Sequence, residues 1–267
     1  MTRELSEAPP ASRTRARVRR ALTVALAVAM LALALGANDW KRGLAIREVR
    51  TYGNSILSAN DVAELAHVDR NQKLFSVDLN AVRRRVEANP YVRSASVTRD
   101  APGCITIAVR ERVPVAALLA DRRLYIDDSA CVLPVLRPDQ LFDLPSLTGA
   151  LPAAECVPGH TMKTPALREA LALLSAARAI GDDLYHTISE VHIAGDGDLF
   201  CYTAESGVPV LFGQGNVPEK LVKFDSFWKD YVARDGVQDL QYVDLRFEDQ
   251  VVARWNRETV SHERTSP

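Results

Sequence analysis

The sequence predicts an α+β chain: a single transmembrane helix near the N-terminus, a small β-α-α-β-β module, and a second mixed α/β module with a largely antiparallel sheet. Three observations predict it. Residues 21–37 carry no charge, and Thr23 is their most polar member. Residues 44–119 show strand, helix, helix, strand and strand patterns in that order. Residues 120–255 place short β-prone runs around two helical stripes. The expected divisions are a basic tail over 1–20, the membrane helix over 21–37, the two modules over 44–119 and 120–255, and a flexible tail over 256–267.

Composition narrows the function. The chain has 267 residues, 47% hydrophobic and 25% charged, with a net charge of −1. That excludes a disordered polyelectrolyte, a collagen-like repeat and a disulfide miniprotein. No global positive field exists to hold phosphates, so no nucleic-acid partner is expected. Charge is nevertheless polarised: residues 1–20 carry six Arg against two Glu, a balance of +4, so the remainder carries −5.

The apolar run reaches roughly 25 Å at about 1.5 Å per residue, the short end of what crosses a bilayer. Trp40 suits the interface, and Asn38, Asp39, Lys41 and Arg42 end the span. The Arg cluster before it predicts a cytoplasmic N-terminus, a single-pass type II orientation and an exported body. A cleaved signal peptide is the competing reading, but Leu35 stands where its cleavage site wants a small residue. Export permits disulfides. Cys104, Cys131, Cys156 and Cys201 allow three complete pairings. Cys131 and Cys156 bracket the Pro-rich stretch 134–152 and form a possible staple; four buried free thiols are the alternative.

In the first module, residues 44–52 are β-prone and Gly53-Asn54 is a turn pair. Ser58 and Asp61 fit the start of a helix whose buried side holds Val62 and Leu65. Asp78 caps a second helix with Leu79, Val82 and Val86 inward and Arg83, Arg84 and Arg85 solvated. Pro90 stops it, and two alternating strands follow, joined by the turn at 100–103.

The second module opens with a hairpin over 124–136 and a short strand over 144–147. Pro165 starts a helix striped by Leu167, Leu171, Leu174 and Ala177 and ended by Gly181. Runs at 188–193, 199–203 and 208–212 form a meander. A helix over 217–234 carries Leu221, Phe224, Trp228 and Tyr231, and strands at 241–247 and 250–255 close the module.

Local chemistry does not suggest a reaction. Gly213-Gln214-Gly215 lies between strand and helix, but Pro218 occupies the place of the third glycine of a dinucleotide loop. Asp196 and Asp198 lack the acids that complete a calcium loop. Cys156 and His160 lack a second ligand pair for zinc. His192 alternates with Val191 and Ile193 in a strand and faces solvent or a polar neighbour. No nucleophile elbow is present, so the reading is non-enzymatic, with no cofactor, no metal and no small-molecule substrate.

What remains is binding. The strand ending at Trp255 is a plausible sheet edge, offering backbone N–H and C=O groups to another chain. Val251, Val252 and Ala253 would supply the rungs. Arg246 and Arg254 would pair with acidic partner groups, and Phe247 and Trp255 would give apolar contact. The alternative is that Phe247 and Trp255 cap the domain core.

Several stretches carry a resemblance. "YGN" at 52–54, "NPYVRSASVTRDAPG" at 89–103 and "ITIAVRERVPVA" at 105–116 resemble a POTRA domain. "YIDDSACVLPV" at 125–135, "LPSLTG" at 144–149, "VPVLFGQGNVPEKLVKF" at 208–224 and "YVDLRFEDQVVARW" at 242–255 resemble the β domain of the FtsQ/DivIB family of bacterial cell-division proteins. The resemblance implies a septal scaffold of the inner membrane that binds the coiled-coil proteins FtsB and FtsL through the last strands of the β domain. It also implies other divisome partners of the FtsW and FtsI kind, and a part in controlling septal peptidoglycan synthesis. Gln250 and Val251 stand where the family commonly has a small residue or Gly. The rival class is a POTRA-type chaperone of export or outer-membrane assembly; nothing after Trp255 supplies the β-barrel that a transport POTRA protein needs.

Overall fold

A computed structural model of the chain describes residues 11–100, 102–137, 141–232 and 236–256. The tail expected over 256–267 and the end of the helix expected at Arg234 therefore lie largely outside the described residues.

Helix α1 spans Ala11–Gly43. Within it Arg19–Ala37 is long and apolar enough to cross a membrane, with mean hydropathy 2.0 and no part buried against protein. It outruns the apolar stretch because Arg and Ala are strong helix formers and no proline interrupts them.

The contacts divide the chain into two compact units. One comprises residues up to 86 and 95–109, the other residues 87–94 and those from 110 onward.

The first unit carries β1 (Glu48–Tyr52), α2 (Ala59–Ala66) and most of α3 (Leu79–Glu87), β2 (Val92–Asp100) and β3 (Cys104–Glu111). Its sheet has the order β1-β3-β2, with β1 parallel to β3. Both helix starts are those the sequence predicts. The Ser58 hydroxyl accepts from the Asp61 N–H at 3.1 Å while the Asp61 carboxylate accepts from the Ser58 N–H at 2.8 Å, a reciprocal cap. Asp78 accepts from the N–H groups of Asn80 and Ala81. Val62, Ala66, Val82 and Val86 bury the inner helix faces, and Ile105 and Ile107 bury the sheet. Gly53 is required by its conformation: φ is +77°, and a Cβ there would sit 2.2 Å from the Val109 carbonyl oxygen.

The second unit holds β4 (Pro114–Leu119), β5 (Arg123–Asp127), β6 (Val132–Leu133), β7 (Ser146–Gly149), α4 (Pro165–Ile180), α5 (Asp182–Thr187), β8 (Ile188–Ile193), β9 (Leu199–Thr203), β10 (Pro209–Gly213), α6 (Val217–Phe227), β11 (Leu240–Asp244) and β12 (Val252–Trp255). All nine strands form one sheet, β12-β11-β10-β9-β8-β7-β4-β5-β6. Antiparallel pairings predominate, with parallel ones at β10/β11, β7/β8 and β4/β7. Helices α4 and α6 pack against each other, and their apolar faces share one core with the sheet: Leu167, Leu171 and Leu174 from α4, Leu221 and Phe224 from α6, Val191 and Val210 from the strands.

Two sequence expectations change here. Residues 114–119, placed in the first module, form β4 of the large sheet, between β5 and β7. Pro114 has no N–H with which to extend the ladder of β3, so the chain breaks there and starts again in another sheet. The possible Cys131–Cys156 staple is absent: both thiols are free, as are Cys104 and Cys201, and all four are buried. Cys131 pairs by its backbone with Thr161, and the Cys156 Sγ lies 3.5 Å from the Pro152 carbonyl oxygen. Backbone hydrogen bonds close this segment instead, Gly159 N–H to Val132 O at 2.7 Å and Met162 N–H to Ala130 O at 2.9 Å. Burial pushes the Cys131 and Cys156 thiols up, and that of Cys201 up to about 12, so all three stay protonated and unreactive near neutrality.

Candidate functional site

β12 is the terminal strand of the nine-stranded sheet. It pairs antiparallel with β11, in the register Asp244 with Val252, Val243 with Ala253, Tyr242 with Arg254 and Leu240 with Trp255. Among the described residues no strand lies on its other flank. The Asn256 N–H points inward to the Asp239 carbonyl oxygen at 2.6 Å. Counting back in twos, the N–H groups of Arg254 and Val252 face β11, and those of Trp255 and Ala253 face out. Side chains alternate in the other sense: Val251, Ala253 and Trp255 pack partly on the core, while Arg254 is exposed.

Beside this edge lies an apolar groove of about 620 Å³, bounded by β12 on one side and α6 on the other. Val222, Phe227 and Tyr231 form the helical wall, and Val251, Ala253 and Trp255 the strand wall. Phe227 and Tyr231 stack with ring centroids 5.5 Å apart. Lys223, Asp230 and Asp249 are its charged members.

Sequence reasoning set Tyr231 on one helix with Leu221, Phe224 and Trp228 and did not single out a helical wall. A π-helical turn over Trp228–Val232 follows α6 and adds a residue to the helical count. Val232 takes the buried place at 4% exposure, and Tyr231 rotates out to 53%. Nothing in residue spacing announces such a turn.

The predicted residues divide between two places. Val251, Val252, Ala253, Arg254 and Trp255 lie together on or beside β12. Phe247 is in the turn before it, 47% exposed, so the core does not claim that ring. Trp255 is half-buried against the core. Arg246 is held by its own chain: its Nε and Nη2 donate to the Asp244 carboxylate at 3.0 and 2.7 Å. These hydrogen bonds hold the nearly buried Asp244 carboxyl below its usual range, against the opposing effect of burial.

The turn that starts α6 is fastened by a residue sequence reasoning did not single out. The Lys220 ammonium, almost buried, donates to the carbonyl oxygens of Phe212 and Gln214 at 2.8 Å each and lies 5.4 Å from the Phe212 ring centroid. Desolvation lowers its pKa, partly offset by Glu169 and Asp198. Gly213 and Gly215 both have positive φ, as a strand-to-helix turn needs, and a Cβ on Gly213 would meet the Arg246 side chain at 2.9 Å.

Elsewhere, His192 has the polar neighbour its position predicts. The Thr148 hydroxyl donates to Glu190 at 2.5 Å and lies 2.8 Å from the His192 Nδ1. The hydroxyl has one proton, so His192 Nδ1 is the donor in the second bond. Among the described residues no group of three His, Cys, Asp or Glu side chains is placed to hold a metal ion.

Comparison with known proteins agrees with this architecture. Residues 44–112 match the POTRA domain of FtsQ type, and residues 117–246 match the C-terminal domain of cell-division protein FtsQ/DivIB. The gap between the matches brackets Val113 and Pro114, where the chain leaves one sheet for the other. The chain is 31% identical over 252 residues to a cell-division protein FtsQ of Rhodothermus marinus, covering 92% of this chain and 90% of that one. It is 30% identical over 251 residues to that of Salinibacter ruber, covering 88% and 94%. To that of Geobacter sp. strain M21 it is 29% identical over 198 residues, covering 74% and 71%. With both domains and most of its length accounted for, the chain belongs to the FtsQ/DivIB family of cell-division proteins.

Proposed function

We propose that this protein is a non-enzymatic scaffold of the division machinery that captures the coiled-coil partners FtsB and FtsL by adding a partner strand to β12. The observation that carries the reading is the position of β12: a terminal strand with outward N–H groups at Ala253 and Trp255 beside an apolar groove. An incoming strand would complete the ladder, and its alternate side chains would reach the groove. Phe247 and Trp255 supply aromatic surface of the kind that dominates interface energy.

The same reading places α1 across the inner membrane with the Arg-rich segment in the cytoplasm and both units in the periplasm at the septum. The POTRA domain then docks other membrane proteins of the divisome, of the FtsW and FtsI kind, and the assembly helps control septal peptidoglycan synthesis. The protein itself turns over nothing.

The test is capture of FtsB. Phe247→Ala combined with Trp255→Ala abolishes it in a pull-down while the circular dichroism spectrum stays unchanged; undiminished capture rejects the edge as the site. Depletion in cells gives filaments that fail to divide, whereas outer-membrane defects without filamentation point to the chaperone class.

A further inference from the structure

The apolar window of α1 ends at Ala37, and the helix continues to Gly43. Six more residues at about 1.5 Å each carry the chain about 9 Å past the hydrocarbon. The head-group layer is roughly 5–8 Å deep on each side. The helix therefore ends at the outer margin of the head groups. There the chain does not leave freely. The Leu74 N–H donates to the Leu44 carbonyl oxygen at 2.8 Å, the Ile46 N–H donates to that of Gln72 at 3.1 Å, and Ala45 bridges Lys73. The segment 70–76 is thus tied to the first three residues after the helix, and its 3-10 turn Leu74–Ser76 packs beside α1.

That segment presents the wrong chemistry for water and the right chemistry for an interface. Leu74 and Val77 are buried, but Phe75 between them is 46% exposed. Arg99 holds it out: the guanidinium donates to the carbonyl oxygens of Leu74 and Val77 and lies 5.9 Å from the Phe75 ring centroid. Arg70 and Lys73, five and two residues before Phe75, are exposed. Asp69, the nearby acid, accepts from the Asn71 N–H at 2.8 Å and serves its own turn. On the helix itself, Trp40, three residues past the apolar window, is 59% exposed.

We propose that residues 70–76 form a second membrane contact, with Lys73 and Arg70 on the phosphates of anionic phospholipids and the Phe75 ring in the glycerol zone beneath them. The proposal rests on reading α1 as a membrane anchor. Its consequence is a first unit held down on the bilayer by two points rather than hinged on one helix end.

The experiment uses the full chain in vesicles of phosphatidylethanolamine and phosphatidylglycerol. A nitroxide is placed on Ser76→Cys, and in a parallel sample on Val28→Cys inside α1; the four native thiols are buried and do not compete for label. Relative accessibility to oxygen and to a nickel chelate reports depth. The label at 28 reads as hydrocarbon, and the label at 76 reads as interfacial, at least about threefold more oxygen-favouring than a label on the exposed turn residue Glu205→Cys. Adding Lys73→Glu and Phe75→Ser returns position 76 to the Glu205→Cys value, with the native thiols still unreactive as proof of an intact fold. A hydrocarbon reading at 28 with a water reading at 76 overturns the second contact and leaves the anchor standing. A water reading at 28 overturns both. Equal depth at 76 in vesicles of phosphatidylcholine alone, whose phosphate is charge-balanced by choline, overturns the pairing of Arg70 and Lys73 with anionic phospholipids.

Discussion

The two ends of the nine-stranded sheet solve the same problem in opposite ways. At one end β6 is only Val132–Leu133, both wholly buried, and its outer flank is filled by the loop that follows: the Val132 N–H donates to the His160 carbonyl oxygen, and the Val132 carbonyl accepts from Gly159. The Tyr91 hydroxyl then covers the Pro134 carbonyl at 2.7 Å. Beneath that end Asp127, with none of its surface exposed, accepts from Arg112 Nη1, the Ser129 N–H and hydroxyl, and the Cys131 N–H. At the other end β12 has half-buried side chains and no covering loop among the described residues. A sheet edge left open invites another strand, so proteins block most such edges. One end of this sheet is blocked by its own chain. Among the described residues, nothing blocks the end beside the aromatic groove.

The comparison can be broken most severely at the closed end. Asp127→Ala strands the Arg112 charge and several donors, and should cost about 3–5 kcal/mol in urea denaturation, as loss of one partner of a buried ion pair does. A change under 1 kcal/mol would show that the covered end is not a structural anchor.

At the open end the expected effect falls on binding. Ala253→Pro removes an N–H that faces away from β11, so stability should stay within about 1 kcal/mol. Capture of FtsB should weaken roughly 100-fold, equivalent to about 2.8 kcal/mol. Normal affinity would mean the partner uses the groove without adding a strand.

Tyr91→Phe sharpens the contrast more gently. It deletes one hydrogen bond at the closed end and should cost about 1 kcal/mol with FtsB capture untouched, read by denaturation and pull-down on the same samples.

The smallest effect is the pH dependence carried by Asp244 beside the open end. Its folded-state pKa is depressed, so its contribution is fully present above the unfolded value near 4 and is lost as pH falls through the lower folded value. Asp244→Asn should flatten that acid limb by about 1 kcal/mol or less, since Arg246 is half-exposed and screened. An unaltered acid limb in the variant would remove the Asp244–Arg246 pair from the account.

Much of this was legible beforehand because it is local. Ser58 and Asp78 name their helix starts through side chains that reach only three residues. The runs at 188–193, 199–203 and 208–212 alternate clearly enough to be drawn as strands. The candidate edge was legible for the same reason: it is the last alternating run before the chain turns polar. The groove was not, since its helical wall depends on the π-helical turn after α6, which moves Tyr231 outward and Val232 inward. Arg246 was expected to pair with acidic groups of a partner, yet Asp244 two residues back already holds it.

The amino-acid sequence alone determined the membrane-length apolar helix, the sequential elements of both modules and the family resemblance, because periodicity, caps and turn residues act over a few positions. Only the tertiary structure decided that β4 joins the larger sheet, that nine strands merge into one, that the four thiols stay apart, and which end of the sheet is covered. Those outcomes are set by pairings between residues tens of positions apart, where the free energy depends on what each flank can bury and not on the pattern of the strand itself.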